Sequence, residues 1–325
     1  MRAIVITSPG GPETLEMQVR PDPLPARSEI RIRVVASSLN RADLSQRMGR
    51  YPAPAGVPAD IPGLEYTGEV ESLGSDTTLW KVGDRVMGIV GGGGHAELVC
   101  VHEREAMRVP ENLTWEEAAA IPEVFLTAYD AMFNRLALSA GETLLIHAVG
   151  SGVGTAAVQL ASIAGIPTIG SSRSPLKLER ALTLGLGICL EARSGWEDRV
   201  IEMTTGQGVE AIMDLVGGSY MGPNLQALAV RGRLVLVGLT AGAKAELDLG
   251  SILRKRIRIE GTVLRARPIE EKIALARDFS RRMLGFFESG GLKAVIDRVL
   301  SFESIREAHD EMEANRNFGK IVLRW

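Results

Sequence analysis

The sequence predicts an α/β protein in which a doubly wound, six-stranded parallel sheet is joined to a mainly β domain. Three observations predict it. Residues 143–160 pass from a short apolar run, through closely spaced glycines, into a segment with apolar residues at helical spacing. From residue 143 to residue 264, strand-like and helix-like segments alternate, as parallel strands with helical crossovers require. Residues 1–121 instead carry short strand candidates punctuated by glycine and proline, and that pattern returns after residue 265.

Taken in order, residues 2–6 and 29–35 read as strands, the second alternating polar with apolar side chains. Pro21, Pro23 and Pro25 mark an extended connection between them. Pro52, Pro54, Pro58 and Pro62 mark a long irregular loop after Tyr51. Segments 68–74 and 81–86 have the turn-punctuated pattern of a compact barrel. Thr114, with Glu117 three residues later, forms a capping box that opens a short helix, and residues 125–136 have helical periodicity. Strands are then expected at 144–148, 166–170, 187–190, 210–216, 234–238 and 257–264. Helices fit between them at 153–164, 175–184, 196–204 and 220–228. The basic run Arg254-Lys255-Arg256, with Arg258, reads as a solvated approach to the last strand, because Ile257 and Ile259 alternate with it. A long helix at 269–288, a strand at 294–300, a helix from Ser304 and a strand at 320–323 return the chain to the first domain. The expected division is 1–123 with 266–325 for the β domain and 124–265 for the sheet domain.

Bulk properties narrow the function classes. With 325 residues, two domains are the natural division. A net charge of -3 argues against a nucleic-acid binder, for which a basic excess is expected. Cys100 and Cys189 stand far apart beside apolar residues and read as free thiols of a reducing compartment. No signal-like segment opens the chain and no apolar run approaches the ~20 residues of a membrane span, so a cytoplasmic protein is expected.

The chemistry begins at the glycine turn. Gly150-Ser151-Gly152-Val153-Gly154 is best aligned as Ala148-x-x-Ser151-x-x-Gly154, a spaced glycine motif with Ser151 in the middle position. Such a turn either closes a tight strand–helix connection or presents amide N–H groups, at the positive end of the helix dipole, to a pyrophosphate. The alternating strands and helices around it favour a dinucleotide. After the next strand the chain runs Ser171-Ser172-Arg173-Ser174 to Lys177, with no acidic residue before Glu179. An acidic side chain there would accept the ribose hydroxyls of NAD, whereas Ser172, Arg173 and Lys177 suit a 2′-phosphate and hence NADPH. The other reading of these residues is a polar loop with Ser174 capping the helix from Pro175.

Seven sequence blocks carry a further likeness: Asn40-Arg41-Ala42-Asp43-Leu44 with Gln46-Arg47 and Gly49-x-Tyr51; Gly63-Leu64-Glu65; Ile121-Pro122-Glu123; Leu126-Thr127-Ala128; Ser151-Gly152-Val153-Gly154; Gly217-Gly218-Ser219-Tyr220; and Asn315-Arg316-Asn317-Phe318-Gly319-Lys320. With these blocks in this order over essentially the whole chain, the sequence resembles the zinc-free, zeta-crystallin-like quinone oxidoreductases of the medium-chain dehydrogenase/reductase superfamily. The resemblance implies a Rossmann sheet domain beside a GroES-like catalytic domain, NADPH as cofactor, a quinone substrate and a homodimer. It implies that Asn40, Tyr51 and Thr127 line the nicotinamide and substrate end, with Ser151 at the cofactor phosphates or nicotinamide. It also implies that Gly217, Gly238, Val263, Leu264 and Asn317 pass near the cofactor. Tyr51 would orient the substrate or stabilise developing oxygen charge, unless it only packs; Ser151 would contact the cofactor, unless it only replaces a glycine. By the same comparison, Asn40 stands where zinc-dependent relatives have a Cys ligand and Leu64 where they have a His.

No metal is expected on direct grounds as well. Two isolated cysteines cannot build a structural zinc site, and His95, His102, His147 and His309 have no metal-like spacing. Without a Lewis acid, a quinone is a better hydride acceptor than an unactivated ketone, because the arriving charge spreads into a ring. Two alternatives share these features: an NADPH-dependent alkenal or enone reductase, and a cofactor-binding protein with a structural or RNA-binding role.

Overall fold

A computed structural model describes residues 1–325, which form two compact units, Met1–Leu126 with Leu264–Trp325, and Thr127–Val263. The first opens with a hairpin of β1 (Arg2–Ile6) and β2 (Leu15–Val19), paired antiparallel. Then follow β3 (Glu29–Ser38), α1 (Arg41–Arg47), β4 (Glu65–Leu73), β5 (Arg85–Ile89), β6 (Leu98–His102), β7 (Met107–Arg108) and α2 (Trp115–Ala119). In β3, Ile30, Ile32 and Val34 are buried while Arg33 is exposed, the period of two that its sequence announces. They pack with Tyr66, Val70, Val86, Val99 and Val101 into the core of this unit. The capping box before α2 forms as expected: Thr114 Oγ1 accepts from the Glu117 amide at 3.2 Å, and the Glu117 carboxylate accepts from the Thr114 amide at 2.9 Å.

From α3 (Pro122–Tyr129) the chain continues as a π-helical turn, Asp130–Arg135, where the sequence predicted plain α-helix. The second unit then alternates β8 (Leu144–Ile146), α4 (Gly152–Ile163), β9 (Thr168–Ser172), α5 (Pro175–Leu182), β10 (Ile188–Glu191), α6 (Trp196–Met203), β11 (Val209–Asp214), α7 (Met221–Ala227), β12 (Leu228–Leu236), α8 (Leu249–Lys255) and β13 (Arg258–Gly261). All six strands are parallel, in the order β10-β9-β8-β11-β12-β13. The order reverses beside β8, and in such sheets a ligand sits outside the strand ends at that point. Ala156, Ala157, Leu160 and Ala161 on α4 are fully buried; their small size lets the helix lie close against the sheet.

Several expectations fail here: β12 begins at Leu228, well before the expected 234, and β13 ends at Gly261, so Val263 and Leu264 lie beyond it. Arg254 and Lys255 end α8 rather than leading into a strand, and Arg256 caps that helix in the left-handed conformation, φ 55°. α8 buries none of its residues, although Leu249, Ile252 and Leu253 stand at helical spacing; its other local signal is the Asp248 cap, whose Oδ1 accepts from the Gly250 amide at 2.9 Å.

After α9 (Ile269–Glu288), β14 (Ile296–Ser301) and α10 (Ile305–Glu313), the chain ends in β15 (Lys320–Arg324). β15 pairs parallel with β14 and antiparallel with β3, with Val322 opposite Ser38, so the C-terminal strand rejoins the first unit's sheet as the sequence predicted. No helix is long and apolar enough to cross a membrane.

Candidate active site

The parallel-sheet unit presents the glycine turn at the end of β8. Each position of the spaced motif has a separate physical reason. Ala148 sits at φ 49°, a left-handed conformation where glycine would be unstrained, so this alanine holds backbone strain of about 1–2 kcal/mol. Ser151 is extended, φ -73°, and caps α4 by accepting from the Gly154 amide at 3.0 Å; a serine there needs no glycine freedom and adds a cap. Gly154 is required, because a Cβ would lie 2.6 Å from the Ala148 carbonyl oxygen and 2.7 Å from that of Val149.

The capping pattern leaves two amides for a ligand. The Ser151 amide is bound to Ala148 O, Gly154 to Ser151 Oγ and Thr155 to Ser151 O. Those of Gly152 and Val153 have no protein acceptor and lie at the partly exposed first turn of a twelve-residue helix. Two free donors at a helix N-terminus beside the sheet's reversal point fit the pyrophosphate of a nicotinamide dinucleotide.

At the end of the neighbouring strand, Ser172 is nearly buried and its hydroxyl accepts from the Ser174 amide at 3.1 Å, while Arg173 is exposed. Ser174 caps α5, and Lys177 is half-buried in its first turn. Ser174 is thus the cap that the second reading of this loop expected, and Ser172, Arg173 and Lys177 lie within six residues of one another around it. A carboxylate that sequence spacing did not flag stands beside them. Glu191 pairs in register with Ser172, but its carboxylate is bound to Arg193 at 2.5 Å. Burial raises the Tyr220 phenol above its usual pKa, and the positive Arg173 works against that shift, placing Tyr220 within the field of the same turn.

A buried polar chain braces this edge, and sequence reasoning missed it. Asp214 at the end of β11 accepts from the amides of Val216 at 2.7 Å and Gly217 at 2.9 Å, and from Asn224 Nδ2 at 2.9 Å. With its NH₂ group aimed at Asp214, Asn224 turns Oδ1 toward His147 Nε2, 2.7 Å away; the proton therefore sits on Nε2, and Nδ1 accepts from the Ser171 hydroxyl at 2.7 Å. His147 is fully buried, packs edge-on against Trp196 and Tyr220, and has its pKa lowered by desolvation. One neutral histidine thus links the ends of β8, β9 and β11 and the start of α7. Gly217, at φ 65°, and Gly238, where a Cβ would meet Leu215 O at 2.6 Å, shape the adjoining loops. Thr127 on α3 is buried, whereas Val263 is 48% exposed.

The first unit holds the remaining candidates around a buried ion pair. Lys320 Nζ lies 2.9 Å from Glu65 Oε1, with both side chains almost wholly buried. Lys320 also donates to Asn40 Oδ1 at 2.6 Å and Leu39 O at 3.0 Å, which uses all three of its protons. Glu65 accepts in addition from Asn40 Nδ2 at 2.8 Å and from the Ser38 hydroxyl, and its second oxygen accepts from the Glu123 amide at 2.9 Å. Asn40 is therefore clamped at both ends of its amide. It also caps α1, whose Asp43 carboxylate accepts from the Asn40 amide at 2.8 Å and the Gly63 amide at 2.9 Å.

Tyr51 belongs to a second cluster in this unit. Arg265 stacks over its ring at 4.9 Å and donates to Tyr51 O at 3.0 Å, Gly91 O at 2.6 Å and Gln46 Oε1 at 2.6 Å. Tyr51 is partly exposed; desolvation raises its phenol pKa, Glu123 raises it further, and Arg265 opposes both. Leu264 is buried next to Arg265 in sequence, and Asn317 is buried with its amide bound to Gly319 O at 2.8 Å. Asn40 and Tyr51 lie in this unit, while Thr127, Ser151 and the Ser172–Lys177 turn lie in the other.

Comparison with known proteins decides the family. Residues 26–111 match the alcohol dehydrogenase GroES-like domain, and residues 152–280 match the family described as zinc-binding dehydrogenase. A quinone oxidoreductase of Pseudomonas aeruginosa is 33% identical over 323 residues, which cover 97% of this chain and 96% of that protein. The chain belongs to the quinone oxidoreductase family of the medium-chain dehydrogenase/reductase superfamily. It is an oxidoreductase of the fold whose members bind a nicotinamide cofactor. Among solved structures, a mycobacterial protein complexed with NADPH superposes over the full length of both chains with a TM-score of 0.88 at 27% identity. An NAD-dependent alcohol dehydrogenase does so with a TM-score of 0.87 at 30% identity.

Proposed function

We propose that this oxidoreductase reduces quinones with NADPH, by hydride transfer and without zinc. The observation that carries the reading is the clamped Asn40. Its Oδ1, in the place of a zinc ligand in metal-dependent relatives, accepts from the Lys320 ammonium at 2.6 Å, and the next such place holds the buried, apolar Leu64. Two ligand places filled by an amide already clamped on both sides and by an apolar side chain offer a metal no donor there, which suits a substrate that needs no Lewis acid. The quinone oxidoreductase of Pseudomonas aeruginosa supports the same substrate class.

In this reading the free amides of Gly152 and Val153 hold the pyrophosphate, Ser151 keeps the helix end open, and Ser172, Arg173 and Lys177 hold a 2′-phosphate. Bound NADPH supplies the hydride. Asn40, Thr127, Gly217, Gly238, Val263, Leu264 and Asn317 serve its nicotinamide end, and the Tyr51 phenol orients the substrate oxygen. Absorbance of NADPH, followed over a panel of quinones and conjugated enones, tests the reading: faster turnover of quinones is expected, and turnover of enones alone would replace it with an enone reductase. Tyr51→Phe is expected to lower kcat for a small quinone with NADPH affinity nearly intact; unchanged kcat would remove Tyr51 from the mechanism.

The assembly proposed with this function is a homodimer. β13 is the edge strand of the six-stranded sheet, and α8 beside it exposes Leu249 and Leu253 at 72% and 79%, one helical turn apart. An unpaired edge next to exposed leucines calls for a covering partner. Light scattering at micromolar concentration should give twice the chain mass of 34.9 kDa, and a monomer mass would contradict the dimer.

A further inference from the structure

The parallel-sheet unit has a recess at the edge opposite the glycine turn. A cavity of about 500 Å³ is lined by Arg231, Arg233, Arg256 and Arg258, with Glu142, Glu210 and Val230. Glu142 precedes β8, Glu210 lies near the start of β11 and Arg258 opens β13. The cavity therefore sits where these strands begin, whereas the turn at Ser151 follows the end of β8. Its volume is in the range of small-ligand pockets. Four guanidinium groups meet two carboxylates, which leaves a surplus of two positive charges. Both carboxylates are committed: Glu142 accepts from Arg233 at 2.6 Å and from the Ser139 amide at 2.9 Å, and Glu210 accepts from the Thr143 amide at 2.8 Å.

Much of the positive charge is left unmatched. Arg233 Nε is buried without an acceptor, and Arg233 stands in register with Arg258 on the neighbouring strand, a like-charge pair that an anion would relieve. Arg258 spends one N–H on the Arg135 carbonyl at 2.9 Å. The side chains of Arg231 and Arg256 are exposed and have no hydrogen-bond or ion-pair partner. Both residues are held at left-handed φ, 67° and 55°, which strains an arginine. Arg231 owes its place to a bulge: β11 advances two residues from Val209 to Ala211 while β12 advances five, from Leu228 to Arg233. A bulge and a helix cap thus deliver two unpartnered arginines to one cavity, at a backbone strain that their own contacts do not offset.

We infer that this cavity binds a small phosphorylated molecule carrying two or more negative charges, at a site separate from the cofactor's. Guanidinium forks match phosphoryl oxygens in bidentate fashion, which carboxylate-free lysines do not, and the charge surplus sets the charge of the guest. The guest supplies the acceptor that Arg233 Nε lacks and the counter-charge that Arg231 and Arg256 lack. Pairing of β13 across its edge engages main-chain groups and leaves Arg258 on the face of the sheet, so the site is compatible with a dimer joined there.

Calorimetric titration of the full chain with inorganic pyrophosphate, with NADPH present to occupy the Gly152–Val153 turn, tests the inference. Wild-type protein should bind pyrophosphate. The double variant Arg231→Asn with Arg256→Asn should bind it at least about tenfold more weakly, since two charge-assisted contacts are lost. Asparagine accepts the left-handed conformation more readily than arginine, so the variant keeps the backbone in place. Its NADPH affinity should match that of wild type, and Lys177→Ala should leave pyrophosphate binding intact. No binding to wild type at millimolar pyrophosphate, or equal affinity in wild type and the double variant, would overturn the site. Loss of pyrophosphate binding in Lys177→Ala would assign the anion to the cofactor turn and overturn it as well.

Discussion

Replacing Lys320 with methionine is expected to destabilise the protein by about 3–5 kcal/mol, because Glu65 would remain a buried charge with its cation removed. At the size of a unit of this kind, that corresponds to a melting temperature lower by roughly 10 °C or more. The geometry makes the loss large. Glu65 is fully buried, Lys320 is 2% exposed, and the ammonium holds both Glu65 and the Asn40 amide. Surface pairs such as Arg27 with Asp76 have no such leverage, since water replaces either partner. The double change Lys320→Met with Glu65→Gln removes both charges and leaves hydrogen-bonding groups for Ser38 and Asn40. It should recover at least half of the lost stability in denaturant titration. A single-variant loss below about 1 kcal/mol, or strict additivity of the two changes, would show that the pair is not a coupled buried unit.

The second large effect concerns cofactor choice. Lys177→Ala is expected to weaken NADPH about ten- to a hundredfold, the equivalent of one charge-assisted hydrogen bond of about 1.5–3 kcal/mol, while NADH binding barely changes. The turn that supports this contains Ser172, Arg173 and Lys177, and the carboxylate closest in register, Glu191, is bound to Arg193. Arg193 also sets a control. Arg193→Ala frees Glu191, which should then repel a 2′-phosphate and lower NADPH affinity without lowering that of NADH. Calorimetric titration with both cofactors reads all of these effects. Equal losses for NADPH and NADH in Lys177→Ala would place the lysine at a part of the dinucleotide the two share, and the 2′-phosphate assignment would fall.

Much of the fold was legible because it is written in short-range chemistry. The glycine turn, the capping box at Thr114 and the alternation in β3 each depend on residues within a few positions of one another, and all three form as read. α8 escaped although Leu249, Ile252 and Leu253 stand at helical spacing, because seven residues are too short for a period to stand out and its left-handed cap is an arginine where glycine is usual. The π-helical turn after Tyr129 escaped because α and π spacing look alike over six residues.

The candidate site divides along the same line. Sequence by itself determined which residues line the turn after β8 and which follow β9, since sharp turns and helix caps restrict residue type locally. Only the tertiary structure decided that Lys320 is the counter-ion of Glu65, 255 residues away, and that His147 reaches Asn224, 77 residues on. Those partners meet because β15 returns to lie beside β3, and because parallel strands bring the ends of β8, β9 and β11 to one edge. Burial then makes each partner obligatory: a charge or imidazole removed from water must find its complement in whatever segment the topology delivers, and no local pattern in the chain encodes that choice.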